Sequence, residues 1–182
     1  MTSGVKNRTR QAIIDAAIDL LAGNPACSLG DIAAAAQVGR TTLHRYFAER
    51  ADLLAAVGAE GGERLVRAAT LADLERGTGA EALLRLCREY FDLGSLLSLM
   101  FSGQGGECWD SQDEQFLVRV IERGHNDGSI DPQLPADWVL SLLWSQLYAA
   151  WAYLGERKDS SRHQVLDLLT RTLANALAPG RS

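Results

Sequence analysis

From Arg8 onward, Ile13, Ala17, Leu20 and Leu21 recur at helical spacing, and Ile14 and Ile18 widen the stripe they form. This pattern predicts a first helix, ended by the chain-breaking run Gly23-Asn24-Pro25. Ser28 stands where an N-cap is needed, and Asp31 follows three residues on as a variant capping box. Ile32 and a run of four alanines then continue a short second helix. Gln37-Val38-Gly39 is a connection of the length a helix-turn-helix requires. A third helix is predicted from Arg40 to Phe47. Leu43 and Phe47 face inward at i, i+4, while Arg40, Thr41, Thr42, His44, Arg45 and Tyr46 are left for the outside.

The rest of the chain keeps the helical period with different punctuation. Leu53, Leu54 and Val57 open a fourth helix near Arg50 that heads toward Leu71 through Gly58, Gly61 and Gly62. Each glycine disfavours a helix by about 1 kcal/mol relative to alanine, so a weakened or bent stretch is expected there. Gly77-Thr78-Gly79 breaks the pattern, and Ala82, Leu83, Leu86 and Tyr90 resume it. Gly94 and Ser102-Gly103-Gln104-Gly105-Gly106 interrupt again. Phe116, Val120 and Ile121 mark a further helix, closed by Asn126-Asp127-Gly128 and the turn Ile130-Asp131-Pro132.

Between Asp137 and Glu156, the stretch Trp138 to Leu154 carries no charge, and only Ser141, Ser145 and Gln146 dilute it. A helix apolar on every side must be buried on every side. At 17 residues it falls short of the roughly 20 that a bilayer span needs, so no membrane is expected as a partner. The last helix shows a sustained stripe of Val165, Leu168, Leu169, Thr172, Leu173, Ala176 and Leu177. Pairing these two helices with their symmetry mates gives a four-helix interface, and hence a homodimer. The expected fold class is all-α with about nine helices: a helix-turn-helix DNA-binding domain over 1–50, and a helical dimerisation domain over 51–182.

Charge supports this division. The chain as a whole is at −5, which disfavours a nucleic-acid partner until its distribution is read. Residues 1–50 hold Lys6, Arg8, Arg10, Arg40, Arg45 and Arg50 against Asp15, Asp19, Asp31 and Glu49, and are net positive. The excess of acids lies beyond residue 50, so a polyanion is met by the N-terminal module and repelled by the remainder. Cys27, Cys87 and Cys108 are an odd number at wide spacings, which suits neither a disulfide framework nor a zinc site. Met1 to Arg10 is polar and basic, unlike a signal peptide, so a cytoplasmic location is expected.

An enzyme is the competing class, and its parts do not assemble. His44, His125 and His163 show no metal-ligand spacing, and no G-x-S-x-G elbow occurs. Gly103, Gly105 and Gly106 lack the Lys-Ser/Thr of a phosphate-binding loop. No cofactor or metal is expected.

A recognition helix enters the major groove with its N-terminal residues nearest the base edges, which makes Arg40, Thr41 and Thr42 the candidates for sequence readout. Arg40 leads, because a guanidinium pairs with two acceptors of guanine at once. His44, Arg45 and Tyr46 lie farther along the helix, where phosphates are in reach. Arg50 joins a positive helix terminus suited to the same task. Ser28, opening helix two, completes the set.

The passage from Ser28 to Leu54 resembles the DNA-binding domain of the tetracycline-repressor (TetR) family. It shares an Asp-Ile-Ala helix two, a Val-Gly turn, a recognition helix rich in Thr, Leu and aromatics that ends in Phe47, and an Asp-Leu-Leu opening of helix four. The match covers roughly residues 8–57. Gln37 replaces the usual glycine before Val38, so a left-handed backbone there is strained. His44 replaces a usual tyrosine, and Gly30 removes a side chain where some relatives place a base-reading residue.

The resemblance implies a dimeric repressor on a palindromic double-stranded DNA operator, released by a small apolar or aromatic effector held in the C-terminal bundle. Tyr90, Phe91, Met100, Phe101, Trp109, Trp144, Tyr148 and Trp151 offer an aromatic lining, with Gln146, His125 and Cys87 as sparse polar contacts. Helix four is then the connector, with its glycines as a soft joint. A DNA-binding regulator without a small-molecule ligand, acting as an activator or through partners, is the alternative.

Overall fold

The computed structural model describes residues 2–101, 115–157 and 159–180. Among them nine α-helices occur: α1 (Thr2–Gly23), α2 (Leu29–Ala35), α3 (Arg40–Tyr46), α4 (Arg50–Leu71), α5 (Gly79–Phe91), α6 (Gly94–Phe101), α7 (Gln115–Asn126), α8 (Ala136–Glu156) and α9 (Arg162–Leu177). No strand is present among the described residues. Two compact units form. The described residues up to Arg64 and from Ser95 to Phe101 make the first; Leu65–Gly94 and the described residues from Gln115 onward make the second. Residues 50–64, about two thirds of α4, thus cluster with the N-terminal helices.

In the first unit, Ile13, Ile14, Ala17, Ile18 and Leu21 of α1 are sealed from solvent together with Ile32, Leu43, Phe47 and Leu53. Burying each of the larger side chains is worth about 1.5–3 kcal/mol, which makes this small core the main support of the four helices that contribute to it. Asp15 on α1, which also accepts from the Gln11 amide (3.1 Å), meets the α4 residue Arg64. Its guanidinium donates to Asp15 and, at 2.9 Å, to Glu60. Burial works against the Arg64 charge, and the hydrogen bonds to Glu60 and Asp15 outweigh it, so the group is held cationic. The helix expected to weaken at Gly58, Gly61 and Gly62 instead runs unbroken from Arg50 to Leu71. Gly58 and Gly61 are buried, so packing over their bare backbone offsets their poor helix propensity.

In the second unit, α5 and α7 cross at Gly79. A Cβ there would run into the backbone of Gly124 and the carbonyl of Val120. Only a glycine permits that approach. The crossing is tied by Gly79 N–H donating to Asp127 (2.9 Å) and Ala80 N–H donating to the Ser129 hydroxyl (3.0 Å). The buried stripe of α9, Val165, Leu169, Leu173 and Leu177, packs with α8 and α5. The outer side of α8 departs from expectation. Trp138 is 59% exposed, Tyr148 56% and Tyr153 39%, as is 41% of Leu168 on α9. The single chain therefore does not bury α8 on every side. No helix among the described residues is long and apolar enough to cross a membrane.

Candidate nucleic-acid interface

The geometry of the helix-turn-helix follows from three local devices. Ser28 accepts from the Asp31 N–H (3.2 Å), and the Asp31 carboxylate accepts from the Ser28 N–H (2.8 Å), so the capping box closes as the sequence indicates. The Asp31 carboxylate accepts from the Ser28 N–H and also from its hydroxyl, and these two bonds, with the charge of Arg40 adding, hold the carboxyl below its ordinary range. At the other end of α2, the Val38 N–H bonds the Ala33 carbonyl (2.9 Å) and the Gln37 N–H bonds the Ala34 carbonyl (3.0 Å). This Schellman pattern needs a left-handed residue, and Gln37 supplies it at φ +56°. Gly39, in extended backbone at φ −71°, then opens α3 through its carbonyl, which accepts from Thr42 and Leu43.

On α3, Leu43 and Phe47 face the core at 1% and 3% exposure. Arg40, Thr41, His44 and Arg45 are exposed, and Thr42 and Tyr46 half-buried. Arg45 lies over the Tyr46 ring at 5.6 Å from its centroid, while Arg10 of α1 lies over Phe47 at 5.4 Å. Arg10 is a cation that sequence reasoning counted but did not place beside this helix. His44 Nδ1 faces the Ala48 carbonyl at 3.4 Å, a contact that favours the tautomer with the proton on Nδ1. Ser28, Leu29, Gly30, Arg40, Leu43 and His44 together line a concavity of about 270 Å³ between α2 and α3.

Arg50, expected at a phosphate, is also engaged within the fold. Its guanidinium donates to the Cys27 carbonyl (2.6 Å) and the Pro25 carbonyl (2.8 Å), tying the start of α4 to the α1–α2 turn. Partners 23 and 25 residues away in the chain leave no local signal. The Ser28 hydroxyl is likewise engaged, donating to Asp31 at 2.8 Å.

The residues expected to line a pocket are dispersed. Within the second unit, Tyr90 stacks on Trp144 with centroids 5.4 Å apart, and Phe91 meets Trp151 at 5.2 Å. A Cβ at Gly94 would collide with the Trp151 indole, so that ring lies flat on bare backbone. Arg162 covers both Phe91 and Trp151 at 5.2 Å and donates to Asp92 (2.8 Å). The buried Trp151 Nε1 and His125 Nε2 have no hydrogen-bond partner. Tyr148 points outward and departs from the expected lining. Gln146 does too, on an apolar groove of about 260 Å³ formed with Tyr153 of α8 and Leu168 and Thr172 of α9. Met100 and Phe101 are half-buried in the first unit, and Trp109 lies outside the described residues. Cys87 is fully buried, and that burial pushes its thiol up to about 12, so it is neutral at physiological pH.

A helix-turn-helix whose second helix carries an exposed basic face, on an otherwise all-helical chain, defines a DNA-binding transcriptional regulator. Residues 13–57 match the model of bacterial regulatory proteins of the tetR family. Over 96% of its length the chain is 34% identical to the HTH-type transcriptional repressor LfrR of Mycolicibacterium smegmatis, covering 93% of that protein. The chain belongs to the TetR family. The crystal structure of LfrR with proflavine aligns with a TM-score of 0.74 at 32% identity, over 94% of this chain and 97% of that one. A regulator from Marinobacter aquaeolei VT8 shares the fold at 20% identity and a TM-score of 0.71, over 96% of this chain and 97% of its own. These relatives are transcriptional regulators, not enzymes.

Proposed function

We propose that this protein is a homodimeric repressor that binds a palindromic operator through α3 and is released by a planar aromatic molecule. The observation that carries the reading is the α3 surface. Arg40 and Thr41 stand exposed at its N-terminal end, where base edges lie in a docked helix, and His44 and Arg45 stand one turn on, where phosphates lie. Repression and ligand release are carried over from LfrR, which is named a repressor and was crystallised with proflavine. Dimerisation is supported by the exposed apolar side chains of α8 and α9 and the groove between them, which a second copy would cover. For the ligand, the stacked Tyr90–Trp144 pair and the unpartnered Trp151 Nε1 are the groups in the second unit suited to a flat aromatic molecule with one acceptor. Ser28 and Arg50, engaged in holding the fold, act on DNA indirectly.

Footprinting on the DNA flanking its own gene tests the reading. Two protected half-sites spaced by a whole helical turn, lost on adding proflavine, are the expected result. Protection that persists at saturating dye supports a regulator without this kind of ligand. No protection at low salt overturns the DNA-reading assignment itself.

A further inference from the structure

We infer that Gly30 of α2 is a specificity-determining position: its missing side chain gives the Arg40 guanidinium a seat on the first turn of α2, and the base pair Arg40 reads depends on that seat. The inference rests on the proposed role of Arg40 as a base reader.

The contact is direct. A Cβ built on Gly30 would stand 3.0 Å from Arg40 Nε, 3.0 Å from its Nη2 and 3.2 Å from its Cζ. Nε and Nη2 are both nearer than the central Cζ, so the guanidinium leans obliquely over Gly30 with its Nε–Nη2 side turned to α2. Its outer edge is left for a ligand, since Arg40 is exposed. No backbone requirement explains the glycine. Its φ is not in the left-handed region, and α2 continues regularly through it. What the absent methyl provides is room for Arg40. The neighbouring Asp31 favours the same placement. Its carboxylate is fixed by Ser28 on the N-terminal turn of α2, and it attracts the Arg40 charge. The concavity walled by Gly30, Arg40 and His44 opens beside the guanidinium, so a group approaching α3 meets the arginine already oriented.

Bidentate pairing of arginine with guanine is strict in geometry, because two parallel hydrogen bonds must form from one plane. An alanine at position 30 moves the guanidinium by tenths of an ångström or lifts it off α2. Either change degrades reading at one base pair while leaving phosphate contacts alone.

Operator selection from a randomised library, followed by affinity measurements, separates the possibilities when run on wild type, Gly30→Ala, Arg40→Ala and the double variant. Alanine is the better helix former, so the single change at position 30 keeps α2 folded. Arg40→Ala is expected to erase the preference at one base pair per half-site. Gly30→Ala is expected to weaken that same preference about fivefold to tenfold, a fraction of what bidentate pairing supplies. In the Arg40→Ala background it is expected to do nothing further. A Gly30→Ala preference within twofold of wild type, or an equal loss in both backgrounds, overturns the seat while Arg40 stands as a reader. If Arg40→Ala itself leaves every base preference intact, the underlying assignment of Arg40 falls and the seat falls with it.

Discussion

α1 and α8 are almost the same length, 22 and 21 residues, yet they end in opposite conditions. Past the exposed Val5 near its start, α1 turns its apolar stripe into its own unit, with Ile13, Ile14, Ala17 and Leu21 at zero exposure. α8 leaves Trp138, Tyr148 and Tyr153 in solvent. The N-terminal unit is thus apolar inside and presents its partner with polar and cationic groups on α3. The C-terminal unit presents hydrocarbon. A surface of the first kind suits a hydrated polyanion, whose affinity depends on salt; a surface of the second kind suits another protein face, whose affinity depends on area removed from water.

That contrast predicts two failure modes with different signatures. The largest effect belongs to the apolar face. Leu168→Arg places a charge in the α8–α9 groove and is expected to give a folded monomer by sedimentation. Operator affinity then falls by about 100-fold or more, because two half-sites no longer bind as one ligand. A dimer that survives this change would show that the groove serves some other purpose.

Next in size is Arg50→Ala. Losing its bonds to Pro25 and Cys27 is expected to cost about 2 kcal/mol in urea unfolding, with the salt dependence of DNA binding unchanged. Arg45→Ala is expected to do the reverse, lowering the slope of log affinity against log salt by about 1 with little effect on stability. Equal slopes in the two variants would erase the distinction between structural and DNA-facing arginines.

Smaller again is the ligand response. Trp144→Leu keeps apolar bulk but removes the ring stacked on Tyr90. The proflavine concentration needed for release is expected to rise about tenfold, with operator affinity in the absence of dye unaltered. If the dye curve does not move, the Tyr90–Trp144 pair is core and the effector binds elsewhere.

The sequence disclosed what is local. The Ser28–Asp31 box, the Leu43 and Phe47 knobs and the turn at Gln37 each act within a few residues, so spacing alone exposes them. The exposed positions of α3 follow from the same periodicity. Arg50 illustrates the opposite case, since its two acceptors lie on a turn two helices earlier. Gly58 and Gly61 mislead for a related reason: propensity is a local quantity, and burial overrides it. The sequence does not orient Tyr148 or Gln146, because a helix apolar all round does not say which face meets its own chain. Gly30 looked like a loss beside relatives, and only the distance to Arg40 gives it meaning.

The smallest expected effect tests the turn that sets α3 in place. Gln37 holds φ +56°, a conformation that costs an ordinary residue about 1–2 kcal/mol relative to glycine. Glycine also enlarges the unfolded ensemble, which returns about 0.4–1 kcal/mol of that advantage. Gln37→Gly is therefore expected to stabilise the protein by about 0.5–1 kcal/mol, read as a higher urea midpoint at constant slope. Gly39, two residues on, is the internal control. Its φ of −71° asks nothing of glycine, and a Cβ there would come no closer than 4.0 Å to Thr42 Oγ1. Gly39→Ser, which adds a capping hydroxyl, is expected to gain only a few tenths of a kcal/mol. Should the two substitutions stabilise equally, backbone handedness is not what distinguishes these positions, and the strain assigned to Gln37 is relieved elsewhere in the turn.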